Sequence, residues 1–136
     1  MSFTLKDITK ILHQRVLVLD GAMGTMIQSL GLSEEDFRGK GFKDHPNDLK
    51  GNNDLLSITQ PAAIKEIHRK YFEAGADICE TNTFNATAIS LADYKTEHLA
   101  YKINFESAKI AKEVAEEFNG KTNANIKLIA GALGPT

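Results

Sequence analysis

Apolar positions repeat at two different periods along this chain, and the period switches at glycines and acids. Leu5, Ile8, Ile11 and Leu12 recur at helical spacing behind a Thr4/Asp7 capping pair, which predicts a helix from residue 4 to about residue 15. The β-branched apolar run at residues 16–19 predicts a buried strand that stops at Asp20-Gly21. A helical pattern follows from about residue 22 to 30, with Gly31 placed as a left-handed cap. Across residues 33–53 the periodicity dissolves into Asp, Asn, Gly and Pro. A loop that long in a compact domain is either functional or disordered.

Order resumes at Thr59-Gln60-Pro61, where proline sits at or near a first helical position. Ile64, Ile67, Tyr71 and Phe72 form one face of that helix, and Gly75 closes it. Residues 76–82 predict a second buried strand with Ile78 and Cys79 inside. A short helix is expected over about 86–94 and a longer one over about 96–118. The longer one carries Leu99, Ile103, Ala108, Ile110, Ala111, Val114 and Phe118. Residues 126–130 form a third apolar strand leading into Gly131-Ala132-Leu133-Gly134-Pro135-Thr136.

Strands alternating with helices imply parallel pairing through right-handed crossovers, so the fold class is α/β with about three parallel strands. No covering helix follows the third strand. A closed eight-unit barrel takes roughly 250 residues, so the 136 residues are expected to be the first part of a larger unit. Hydrophobic content of 42%, charged content of 25% and a net charge of -2 describe an ordinary soluble domain without the basic footprint of a nucleic-acid binder. No apolar run has the length of a membrane span, and the N-terminus lacks a signal-peptide core. A single cysteine excludes an internal disulfide and a cysteine-only metal site built from this chain. A reducing, cytoplasmic setting is the default.

Candidate chemistry gathers where strands end. Asp-Gly is a common turn pair, but Asp20-Gly21 ends a buried strand and opens a helix, the position where parallel α/β proteins place their sites. A carboxylate there can accept from a substrate ammonium, and Gly21 would let a ligand approach the backbone. Gly21-Ala22-Met23-Gly24-Thr25 lacks the spacing of a nucleotide loop, although a helix N-terminus can still receive a substrate carboxylate. Glu80-Thr81-Asn82-Thr83-Phe84-Asn85 is a second polar cluster at an equivalent strand end. Glu80 could be a second carboxylate or a structural ion-pair partner, while Thr81 and Asn82 offer directional hydrogen bonds. Gly51-Asn52-Asn53-Asp54 reads as a turn with capping side chains. Cys79 reads as a small core hydrophobe. None of His13, His45, His68 and His98 has a second ligand at metal spacing, so no metal is expected on this chain alone.

These segments in order resemble the homocysteine S-methyltransferase domain family. The resemblance is carried by Leu19-Asp20-Gly21-Ala22-Met23-Gly24-Thr25, Gly51-Asn52-Asn53-Asp54-Leu55-Leu56 with Thr59-Gln60-Pro61, Glu80-Thr81-Asn82-Thr83-Phe84, and the closing Ala130-Gly131-Ala132-Leu133-Gly134-Pro135-Thr136. Within the family it is nearest to the N-terminal, homocysteine-binding modules of the cobalamin-dependent methionine synthase branch. Betaine-dependent members share the acid–glycine start but lack the Asn-Asn-Asp segment.

The resemblance implies a (β/α)8 TIM barrel, with residues 1–136 as a partial homocysteine-binding domain cut after the third strand. It implies homocysteine at the barrel's carboxyl face, held by Asp20 and Gly21 at its amino group and by Thr81 at its amino-acid end, with Glu80, Asn82 and Thr83 as neighbours. It also implies a zinc ion on cysteine thiolates of later strands. Zinc would deprotonate a thiol whose pKa is otherwise about 8.5 and present the sulfur to the methyl donor. In the cobalamin branch that donor is methylcobalamin, renewed from a methylated folate by cobalamin- and folate-binding modules of the same parent. Cys79 does not match the zinc positions, so the chain alone is expected to bind neither zinc nor cobalamin and to be inactive. It is also expected to self-associate through open strand edges. Two other classes remain. An unrelated parallel α/β barrel would want a lysine or a phosphate loop at a strand end, and neither is evident. A non-catalytic binding module would cover both of its sheet edges.

Overall fold

The computed structural model describes residues 3–120 and 126–135, so Thr136 of the closing motif lies outside the described residues. Helix α1 (Leu5–Leu12) begins as expected, with the Asp7 carboxylate accepting from the Thr4 N–H at 3.0 Å. It ends three residues early, because Arg15 turns away to pair with Asp77. Helix α2 (Met23–Ser29) is closed by Gly31 at φ 60°, a left-handed position that suits glycine.

The sheet is smaller than predicted. Strand β1 (Ile78–Glu80) pairs in parallel with β2 (Leu128–Ala130) in the register Ile78–Leu128, Cys79–Ile129 and Glu80–Ala130. The expected first strand at residues 16–19 makes a single parallel bridge, Leu19 to Ile78, so the described residues hold two strands and a bridged edge segment rather than three strands. The cause is Asp77. Its carboxylate accepts the Val18 N–H at 2.9 Å, standing where a neighbouring strand's carbonyl would be. The Val18 carbonyl meanwhile takes both the Asp77 and Ile78 N–H groups, at 2.8 and 3.2 Å. The Arg15 guanidinium clamps the same carboxylate with two bonds of 2.8 Å and holds it well below the usual carboxylate range.

Residues 33–53 are built rather than loose. Ser33 caps a short helix, α3 (Glu34–Arg38), through the Asp36 N–H. Glu34 then accepts the Leu49 and Lys50 N–H groups at 2.7 Å each. Arg38 donates to the carbonyls of Lys43, His45 and Asn47. These two side chains replace the missing backbone ladder and seat Leu49, which is fully buried. A 3-10 turn (Asn53–Leu55) leads into α4 (Leu56–Thr59).

Helix α5 (Pro61–Glu73) starts at its proline, and Gly75 at φ 109° turns the chain into β1. The short α6 (Ala88–Leu91) precedes α7 (Ala100–Asn119), which packs on α5. Phe72, Ala76, Cys79, Val114 and Ala115 fill the space between these helices and the sheet. A larger cluster joins Ile27, Phe37, Leu49, Leu55, Ile64 and Ile103. Ala108 is exposed, and Ser107 takes the inward position on α7 instead, its hydroxyl 2.7 Å from that of Ser57. Among the described residues no helix is long and apolar enough to cross a membrane.

Candidate functional site

The carboxyl ends of β1, of the bridged segment and of β2 open into one cleft of about 500 Å³. It is lined by residues 20–24, 53–54 and 80–85 and by Ala132. All six residues singled out in the sequence, Asp20, Gly21, Glu80, Thr81, Asn82 and Thr83, lie on its wall. One that reads as a turn in the sequence joins them: Asp54, 4% exposed, whose Oδ1 accepts the Asn85 N–H at 3.2 Å. Its only sequence signal is its place in the Gly51-Asn52-Asn53-Asp54 segment.

Asp20 is held by its own strand end. Its N–H donates to the Ile78 carbonyl at 2.9 Å, and its Oδ2 accepts the Glu80 N–H at 3.1 Å. Its Oδ1 is buried and has no hydrogen-bond partner. Burial pushes the Asp20 and Asp54 carboxyls above the ordinary aspartate value. Gly21 is explained by a neighbour. A Cβ there would meet the Tyr71 hydroxyl at 3.1 Å, and that hydroxyl donates to the Ala22 carbonyl at 3.1 Å. The small residue thus admits the Tyr71 ring, which the sequence alone does not suggest.

Thr81 and Thr83 close a ring with the segment after β2. The Ala132 N–H donates to Thr81 Oγ1 at 3.0 Å, and Thr83 Oγ1 donates to the Ala132 carbonyl at 2.8 Å. The two hydroxyls lie 2.7 Å apart. A hydroxyl has one proton, and that of Thr83 goes to Ala132, so the Thr81 proton goes to Thr83. Both hydroxyl protons are therefore committed, and Thr81 faces a ligand only as an acceptor. Asn82 is a tie beam: its Nδ2 donates to the Asn53 carbonyl at 2.9 Å, and the Ser107 hydroxyl lies 3.2 Å from its backbone carbonyl.

Asp20, Asp54 and Glu80 all line the cleft, and among the described residues no Lys, Arg or His does. Such a wall attracts a cation or an ammonium and repels phosphate. Cys79 lies outside it, fully buried, and burial pushes its thiol up. Among the described residues the cleft wall carries no cysteine, lysine or histidine.

Beside Asp20 lies a grouping that sequence spacing cannot reveal, because its members come from three elements. Donor atoms of Asp20, His68 and Cys79 all lie within 4.8 Å of one another. His68 on α5 is fully buried, neither ring nitrogen has a partner, and burial pushes its pKa down to about 4. The thiolate-rich zinc centre that the family resemblance implies is not made from these residues, since the chain has one cysteine.

Fold and site together define a parallel α/β protein with an acidic cleft at its strand ends. The homocysteine S-methyltransferase family model matches residues 17–136, and the chain belongs to that family. Two crystal structures of the homocysteine methyltransferase MmuM from Escherichia coli, a metallated and an oxidised form, superimpose with TM-scores of 0.71 and 0.72 at 23% and 24% identity. Each is matched over 94% of this chain, which spans 41% and 40% of their lengths.

Proposed function

We propose that this chain is the homocysteine-holding part of a homocysteine S-methyltransferase, a partial domain corresponding to the first part of a (β/α)8 barrel. The observation that carries this reading is the cleft wall: three carboxylates, no cationic side chain among the described residues, and a Thr81 hydroxyl left only as an acceptor. An amino-acid ammonium is a donor on every face and suits such a wall. Asp20 takes the ammonium, with Thr81 beside it and Glu80 and Asp54 adding negative potential. Gly21, Asn82 and Thr83 set the shape of the wall. The chemistry of methyl transfer belongs to residues other than these. Zinc, where the parent binds it, supplies a thiolate-like homocysteine sulfur. The chain by itself is expected to bind homocysteine without methylating it.

The Gly51-Asn52-Asn53-Asp54-Leu55-Leu56 and Glu80-Thr81-Asn82-Thr83-Phe84 segments favour a cobalamin-dependent methionine synthase as parent. Methylcobalamin would then be the donor, and cobalamin- and folate-binding modules the partners in the same chain. The likeness to MmuM supports a second reading, a homocysteine methyltransferase with a different methyl donor. Both share the same test of the site. Calorimetric titration with L-homocysteine should give binding that Asp20→Ala weakens by about 10- to 100-fold, the worth of a charge-assisted hydrogen bond. Unchanged affinity in a folded Asp20→Ala variant would remove Asp20 from the site. A methyl-transfer assay on the parent, with methylcobalamin against other methyl donors, separates the two readings.

A further inference from the structure

Asp20 lines the cleft and Cys79 packs in the core, but neither role accounts for their meeting with His68. A buried imidazole ordinarily finds a partner for at least one nitrogen, and both of those on His68 lack one. Asp20 Oδ1 is buried and equally unpartnered, while Oδ2 of the same carboxylate is occupied by the Glu80 N–H. The Cys79 thiol lies 3.9 Å from the His68 carbonyl and also faces the Asp20 carboxylate. Three orphaned polar atoms of two side chains therefore sit beside a sulfur, in a space too dry for bulk water to satisfy them.

We infer that Asp20, His68 and Cys79 form a three-donor site for a divalent transition cation of borderline softness, of the zinc and cobalt type. The donor set selects the class. An imidazole and a thiolate favour such an ion over magnesium or calcium, which take oxygen ligands. The charge also closes. A carboxylate and a thiolate neutralise one divalent ion, so the buried site holds no net charge when filled. On binding, the Cys79 S–H bond gives up its proton to solvent and the sulfur lone pair goes to the metal; no oxidation or reduction occurs. The donors span up to 4.8 Å, somewhat wider than the about 3.5 Å expected between neighbouring donors around a tetrahedral ion with ~2.0–2.3 Å bonds, so they close in on the ion. Three protein donors leave a fourth position for water or a ligand. The site differs from the thiolate-only zinc of the family resemblance in using this chain's one cysteine with nitrogen and oxygen donors. It does not depend on the proposed homocysteine reading.

The test uses the wild-type chain, reduced and stripped with a chelator, titrated anaerobically with Co²⁺. Binding should saturate at one equivalent with a near-ultraviolet sulfur-to-cobalt charge-transfer band. Cys79 is the chain's only cysteine, so that band reports this sulfur alone. Zn²⁺ should displace the cobalt and abolish the band, whereas excess Mg²⁺ should not. His68→Ala should weaken Co²⁺ binding at least tenfold, and Cys79→Ser should remove the band. Absence of the band in the wild type, or a band unaffected in a folded His68→Ala variant, overturns the proposal. Should His68→Ala fail to fold, the ring ¹⁵N resonances of His68 in the wild type decide: a Zn²⁺-induced shift supports ligation, and unmoved resonances reject it.

Discussion

At the residue scale the molecule uses aspartates in two opposite ways, and their titration separates them. Asp77 is clamped by Arg15 and by the Val18 N–H, which hold its carboxyl below the ordinary value. A folded-state pKa below the unfolded one stabilises above the unfolded value, about 3.9, and that stability is lost as pH falls through the folded value. Asp77→Asn should therefore cost about 2 kcal/mol at neutral pH, since it removes a charge-assisted pair that is partly open to water on the Arg15 side. It should also flatten the acid limb of a denaturant-midpoint against pH curve; an unaltered limb would mean the clamp contributes little. Asp20 runs the other way. Burial raises its pKa, so its ionised form, which an ammonium needs, is lost at a higher pH than for an exposed aspartate. Homocysteine affinity should decline as pH falls through that raised value, and Asp20→Asn should erase the decline along with most of the binding.

At the scale of elements, loop ends are welded by hydroxyls rather than by more strand. The Thr81–Thr83–Ala132 ring joins the segment after β1 to the segment after β2. Two residues further on, a Cβ on Gly134 would run into the Phe84 carbonyl, so the two segments lie in direct contact. Thr83→Val keeps the shape but removes one donor and one acceptor from a buried ring. It should cost about 1–3 kcal/mol, because Ala132 O and Thr81 Oγ1 are left with an unmet bond. Hydrogen exchange at the Ala132 N–H should quicken while α5 and α7 stay protected; uniform exchange would show that the ring is not a separate fastening.

This ring also shows what a sequence can and cannot disclose. The polar run Glu80–Thr83 declares itself because polar residues directly after a buried strand must face an opening. Asp20-Gly21 declares itself for the same reason. Which hydroxyl gives its proton to which acceptor depends on Ala132, which is 49 residues from Thr83. Asp54 hides because Asn and Asp in a turn have local work to do. The apolar run at residues 16–19 predicts a strand where the structure has a single bridge at Leu19, and nothing local announces that the Asp77 side chain will take one of its backbone bonds. Residues 33–53 look structureless because Glu34 and Arg38, not a periodic pattern, organise them. His68 and Cys79 approach Asp20 only through the packing of α5 on the sheet.

At the scale of the whole molecule, the two faces of the sheet are unequal. In parallel register, paired residues point to the same side. Cys79 faces α5 and α7, so Leu19, Ile78 and Leu128 face the other way. Leu19 is 49% exposed on that face. Val16, Val18 and Leu133 add further exposed apolar surface at the sheet edge and just beyond it, Leu133 being 93% exposed. The outer edges of β2 and of the bridged segment have no strand partner among the described residues. Open edges beside an apolar face form a template for pairing with another chain. The chain should therefore associate as concentration rises, by edge pairing or by exchange of elements. Sedimentation velocity over a hundredfold concentration range should show mass climbing above that of one chain. A Leu19→Lys, Leu133→Lys double variant should move the association to higher concentration, since a charge on this exposed apolar surface opposes a dry contact. A single monomeric boundary throughout, in the unmodified chain, would mean that this face is stable in water as it stands. In that event the open sheet would not be what sets the oligomeric state.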